Sequence, residues 1–148
     1  MTGVDPSPAA LARARDTHPE LTFVAPAADG RLPLPDASFD VITCVNVLEH
    51  VADTQALMSE ARRVLTSGGL LLATVPYHGR VQAAFGALTA FERHFDPLEP
   101  VLRFYTARSL RGLLEAFGFE DVETSARGGP PLRRRALVAL GRRAGVPS

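Results

Sequence analysis

The chain has 148 residues, with sixteen arginines balanced by sixteen acids, no lysine and a single cysteine. That length suits one domain burying roughly 70% of the surface its unfolded chain would expose. No apolar run approaches the ~20 residues of a spanning helix, one cysteine excludes a disulfide scaffold, and zero net charge argues against non-specific nucleic-acid binding.

The charge is unevenly spread. Residues 1 to 100 hold seven arginines against twelve acids, a net −5, and residues 101 to 148 hold nine against four, a net +5. In place of a basic, apolar leader the first residues carry Asp5 and two prolines, so a cytoplasmic α/β domain is expected.

Thr2-Gly3-Val4 reads as the end of a strand closed by Asp5. Ser7-Pro8 then starts a helix, because the hydroxyl accepts from an orphan N–H and proline loses nothing in the first turn. That helix is expected to reach about Arg15. Leu21 to Val24 is a short strand, followed by a loop rich in Pro, Ala, Gly and Asp up to Ser38. Asp40 to Val45 is β-branched and apolar, the pattern of a strand covered on both faces.

A second helix follows, capped by Asp53 or Thr54, with Leu57, Met58, Ala61, Val64 and Leu65 on one face. Gly68-Gly69 is expected to stop it. Leu70 to Val75 is a buried strand ended by Pro76. Residues 77 to 105 break the rhythm and read as an insertion holding two of the four histidines, His78 and His94, among aromatics. Thr106 caps a third helix with Leu110, Leu113, Leu114 and Phe117 on one face and Gly118 at its end. Phe119 to Thr124 and Arg135 to Leu140, joined through Gly128 to Pro131, read as an antiparallel pair at a sheet edge.

Strands separated by helices imply a doubly wound, mostly parallel sheet that binds ligands at the carboxyl ends of its strands. Those ends are Asp5, Ala25 to Gly30, Val45 to His50 and Pro76 to Gly79. A carboxylate at Asp5 can accept two hydrogen bonds from a ribose diol. In dinucleotide-binding folds that acid lies about 20 residues after a Gly-rich turn, yet only four residues precede it here.

Gly3 to Arg15 (GVDPSPAALARAR), Leu32 to Asp40 (LPLPDASFD), Val45 to Val51 (VNVLEHV) and Ala61 to Leu72 (ARRVLTSGGLLL) resemble, in order and spacing, class I S-adenosylmethionine-dependent methyltransferases. The resemblance implies a Rossmann-like fold, S-adenosylmethionine as cofactor and a small-molecule methyl acceptor, with neither nucleic acid nor membrane as partner. Carried over, Asp5 would hold the ribose hydroxyls. Counting back from Leu32-Pro33 puts Ala28 in the adenine-side register, with Asp29 one place later. Asn46 would stand towards the methyl donor, and Glu49-His50 match an acidic-histidine pair on the substrate side. His50 is the first candidate base and His78 the second.

The family's first strand and Gly-rich loop have no counterpart in the chain, so the domain is expected to be N-terminally truncated. That strand would lie between those at residues 2–4 and 40–45, and its loss would expose two apolar edges prone to self-association.

Each residue also has a plainer role. Asp5 and Asn46 could be turn residues, and His50 a structural histidine. The arginines at 133–135 and 142–143 read as solvated flanks of an apolar strand. No metal is expected, since Asn46 stands where quinone-pathway O-methyltransferases resembling this segment use a further acid. Two other classes stay open: a nicotinamide-dependent oxidoreductase, for which no Tyr-x-x-x-Lys pair exists, and a non-catalytic fragment completed by a partner chain.

Overall fold

The computed structural model describes residues 1–77, 101–130 and 134–145. The chain order is β1 (Thr2–Val4), α1 (Pro8–Thr17), β2 (Thr22–Val24), β3 (Phe39–Val45), α2 (Thr54–Val64), β4 (Leu65–Pro76), α3 (Ala107–Ala116), β5 (Phe119–Arg127) and β6 (Ala136–Arg143). His78, His94 and most of the expected insertion lie outside the described residues. No described helix is long and apolar enough to cross a membrane.

The strands form two sheets. β1 and β2 pair in parallel, and a second sheet has the order β3-β4-β6-β5. Within it β3 and β4 are parallel, whereas β6 runs antiparallel to both β4 and β5. The result is the expected α/β fold with antiparallel carboxyl-terminal strands. β1 and β3 belong to different sheets, and β3 ends the larger one.

The helices follow their sequence signals. Ser7 Oγ accepts from Ala10 N at 3.3 Å and Asp53 Oδ1 from Ala56 N at 2.9 Å, so Asp53 is the cap of α2. Thr106 and Ser109 bond reciprocally in a capping box at the start of α3. α2 buries Met58, Ala61 and Val64, and α3 buries Leu110 and Leu114. Their core partners are Cys44, Leu71, Ala73, Val75, Leu137, Ala139, Phe119 and Val122.

Two expectations need correction. Gly68-Gly69 do not stop α2, which ends at Val64 with Leu65 already extended. They lie inside β4, where pairing jumps from Phe39↔Leu65 to Val41↔Leu70. Gly68 has φ +77°, and a Cβ on Gly69 would stand 2.9 Å from the Thr66 carbonyl. An irregularity that crowds extra residues into one strand wants such positions as much as a helix end does.

The second correction concerns β3, which is covered on one face only. Ile42 and Cys44 point to the core side, but Val41 and Val45 are 56% and 57% exposed. The continuous apolar pattern marks a strand suited to two layers, and the second layer does not form over Val41 and Val45.

Candidate functional site

Two motifs of the sequence meet at one side chain. Arg63 donates through Nε and Nη2 to Glu60 at 2.7 Å each, through Nη1 to Asp36 Oδ1 and the Leu34 carbonyl, and through Nη2 to the Leu32 carbonyl. Glu60 Oε2 also accepts from Leu32 N at 2.7 Å. The Arg63 hydrogen bond, with help from Leu32 N, lowers the Glu60 carboxyl to about 2 against its desolvation, and the same pairing raises Arg63. This network ties the loop at 32–36 to α2 and so delivers the chain into β3.

At the carboxyl end of β1, Asp5 is half-buried. Its Oδ1 accepts from Ser7 N at 2.7 Å, and its backbone N donates to the Val24 carbonyl at 3.3 Å. The aspartate therefore sits beside the end of β2, where the 25–30 loop begins. One carboxylate oxygen is held in place, and Oδ2 accepts no hydrogen bond from the described residues.

Ala27 N donates to the Arg31 carbonyl and Gly30 N to the Ala27 carbonyl, so residues 27–30 form a tight turn with Gly30 at φ +85°. Ala28 is exposed on this turn. Asp29 Oδ1 accepts from Arg31 N at 2.9 Å, and Asp29 lines a shallow depression with Ala56, Ser59 and Glu60 of α2.

Asn46 closes β3 in the left-handed region, at φ +51°. Its N–H donates to the Thr74 carbonyl at 3.0 Å, and its side chain is exposed beyond the strand end. The turn at 47–50 follows. His50 is exposed, its Nε2 3.8 Å from Glu49 Oε1, while the Glu49 side chain is 2% exposed and its Oε2 is buried without a hydrogen-bond partner among the described residues. The sequence pattern names His50 as the candidate base. Burial singles out the acid, and its pairing with His50 was the only signal of it in the sequence.

Residues 101–105 clamp this turn. Leu102 N and Arg103 N donate to the Glu49 carbonyl, the Arg103 guanidinium donates to the Val51 and Ala52 carbonyls, and Tyr105 Oη donates to the Leu48 carbonyl. Tyr105 is in the core, so the end of the segment expected to be an insertion supports the turn from beneath. Cys44 is buried, which pushes its thiol up to about 11 and leaves it inert.

The structure thus joins Asp5 to the 25–30 loop and Asn46 to the end of β4, each pair within its own sheet. The fold agrees with that of known proteins. A sequence profile described as a methyltransferase domain matches residues 1–73. A probable S-adenosylmethionine-dependent methyltransferase of Mycolicibacterium smegmatis is 36% identical over 84% of this chain and 45% of its own length. The ubiquinone/menaquinone biosynthesis C-methyltransferase UbiE of Caulobacter vibrioides is 34% identical over 73% of this chain and 49% of its own.

Among solved structures, an S-adenosylmethionine-dependent methyltransferase from Thermotoga maritima superposes with a TM-score of 0.71 at 23% identity, covering 95% of this chain and 72% of that one. The YcgJ protein of Bacillus subtilis gives 0.70 at 17% identity, covering 98% and 82%. The chain belongs to the class I S-adenosylmethionine-dependent methyltransferase family. It spans less than half the length of the curated relatives it matches.

Proposed function

We propose that these residues form the nucleoside-side and acceptor-side parts of a methyl-transfer site acting on an O, N or C nucleophile of a small molecule in the cytoplasm. Asp5 carries the reading. Its Oδ1 is fixed by Ser7 N at a strand end, and Oδ2 is left to accept from a ribose hydroxyl. S-adenosylmethionine, when bound, supplies an activated methyl group on a sulfonium. The chain's contribution is positioning and exclusion of water.

Ala28 and Asp29 border the adenine side, and Asn46 presents its amide at the end of β3. His50, beside buried Glu49, is the base where the acceptor is too weakly acidic to react unaided. His78 remains the second candidate, from outside the described residues. The family assignment leaves the nicotinamide-dependent reading without support.

A second reading is favoured by one observation: the chain as it stands is a methyltransferase-like unit that needs a further strand from a partner. β1 and β3 lie in separate sheets, and Val4, Val41 and Val45 are 42%, 56% and 57% exposed.

Both readings are tested by fusing the Gly-rich strand and turn of a relative ahead of residue 1 and measuring S-adenosylmethionine binding calorimetrically. The fusion is expected to bind at least about tenfold more tightly than residues 1–148 alone, and Asp5→Ala in the fusion to lose about tenfold or more. Unchanged affinity in Asp5→Ala would overturn the role of Asp5. Micromolar binding by residues 1–148 alone would overturn the need for a further strand.

A further inference from the structure

We propose that the depression between the carboxyl ends of α2 and α3 binds a compact oxyanion, with a phosphoryl group of a small molecule as the ligand class. It is an open hollow of about 560 Å³ lined by Ser59, Arg62, Arg63, Phe117, Gly118 and Arg143, with no carboxylate among the described residues that line it. Arg63 is committed to Glu60 and Asp36. The other two arginines are not so matched: Nε of Arg62 and Nε of Arg143 are buried, and neither has a hydrogen-bond partner among the described residues.

Local structure holds both guanidinium groups there. A Cβ on Gly118 would stand 2.9 Å from Arg62 Nε and Cζ, so only glycine lets that guanidinium lie against the chain at the end of α3. Arg143 Nη1 donates to the Leu65 carbonyl, which fixes the second group.

A plainer role is that Arg62 offsets the carboxyl-terminal dipole of α3, whose last turn has no basic residue. That role leaves both buried Nε donors unmatched among the described residues, which is unfavourable. A tetrahedral oxyanion has acceptors enough for both forks and for the Ser59 hydroxyl. Of the arginines at 142–143, expected from the sequence as solvated flanks, Arg143 lines the hollow with Arg62 and Arg63, whereas Arg142 donates to the Gly68 carbonyl. The hollow adjoins Leu65 at the start of β4, while Asn46 adjoins Thr74 near its end. The proposal does not rest on the methyl-transfer reading, although Ser59 and Arg63 line both this hollow and the depression beside Asp29.

The test is thermal unfolding of the chain in 10 mM phosphate or pyrophosphate against sodium chloride of equal ionic strength. Binding in the millimolar range raises Tm by about 2–4 °C over chloride. Arg62→Gln and Ser59→Asp, which puts an acid into the hollow, should each abolish the difference. Equal Tm in phosphate and chloride would overturn the proposal. So would a shift retained in both variants, which marks a general salt effect. An oligonucleotide without terminal phosphate that binds more tightly than pyrophosphate, with a steep salt dependence, would make the surface a polymer-binding one and overturn it as well.

Discussion

Arg63 uses all five guanidinium N–H groups, two on Glu60, one on Asp36 and two on carbonyls of the 32–36 loop. Lysine cannot reproduce that fork, so Arg63→Lys is expected to cost about 2–3 kcal/mol in urea unfolding. Glu60 adds a pH dependence of definite sign. Its carboxyl is lowered from 4.5 to about 2 in the folded chain, so the stability it contributes is full above its unfolded value. That contribution is lost as pH falls from about 4.5 towards 2, by about 1–3 kcal/mol. Urea midpoints at pH 7, 4 and 2.5 should show the loss in the parent and a flatter profile in Glu60→Gln; parallel profiles would contradict the assignment. The motif words around these residues were visible in the sequence. That they form one network was not, because Leu32 and Arg63 are joined only by the fold.

The helices were the most legible elements, since each begins with a side chain that can accept from its first turn. Asp53→Ala should lower stability by about 1 kcal/mol, and Thr54→Ala should not remove the cap, because Asp53 rather than Thr54 accepts from Ala56 N. Equal losses in the two variants, measured by thermal unfolding, would argue against that division. Gly68-Gly69 misled because the sequence gives glycine the same spelling at a helix end and within an irregular strand. β3 misled for a different reason. Its apolar run records what the strand is suited to be covered by, and Val41 and Val45 remain open. Of the site residues, the strand-end positions of Asp5 and Asn46 were legible from the strand pattern. The burial of Glu49 was not, because it depends on the 101–105 segment closing over a turn about 50 residues earlier.

On the scale of the molecule, the two sheets are not hydrogen-bonded to each other among the described residues, which leaves β3 with an unpaired edge and an apolar face. Such an edge is a template for association, so sedimentation is expected to show concentration-dependent self-association that Val45→Lys reduces. Unchanged sedimentation in that variant would place any association elsewhere. The proposed site requires Asp5, the 25–30 loop and the 45–50 turn to serve one ligand although they hang from separate sheets. Amide chemical shifts in a titration with S-adenosylhomocysteine test it most directly, even where binding is weak. Asp5, Ala25 to Gly30 and Asn46 to His50 are expected to shift together along one saturation curve. Shifts confined to one of the two sheets, or clustered instead at the carboxyl ends of α2 and α3, would contradict it.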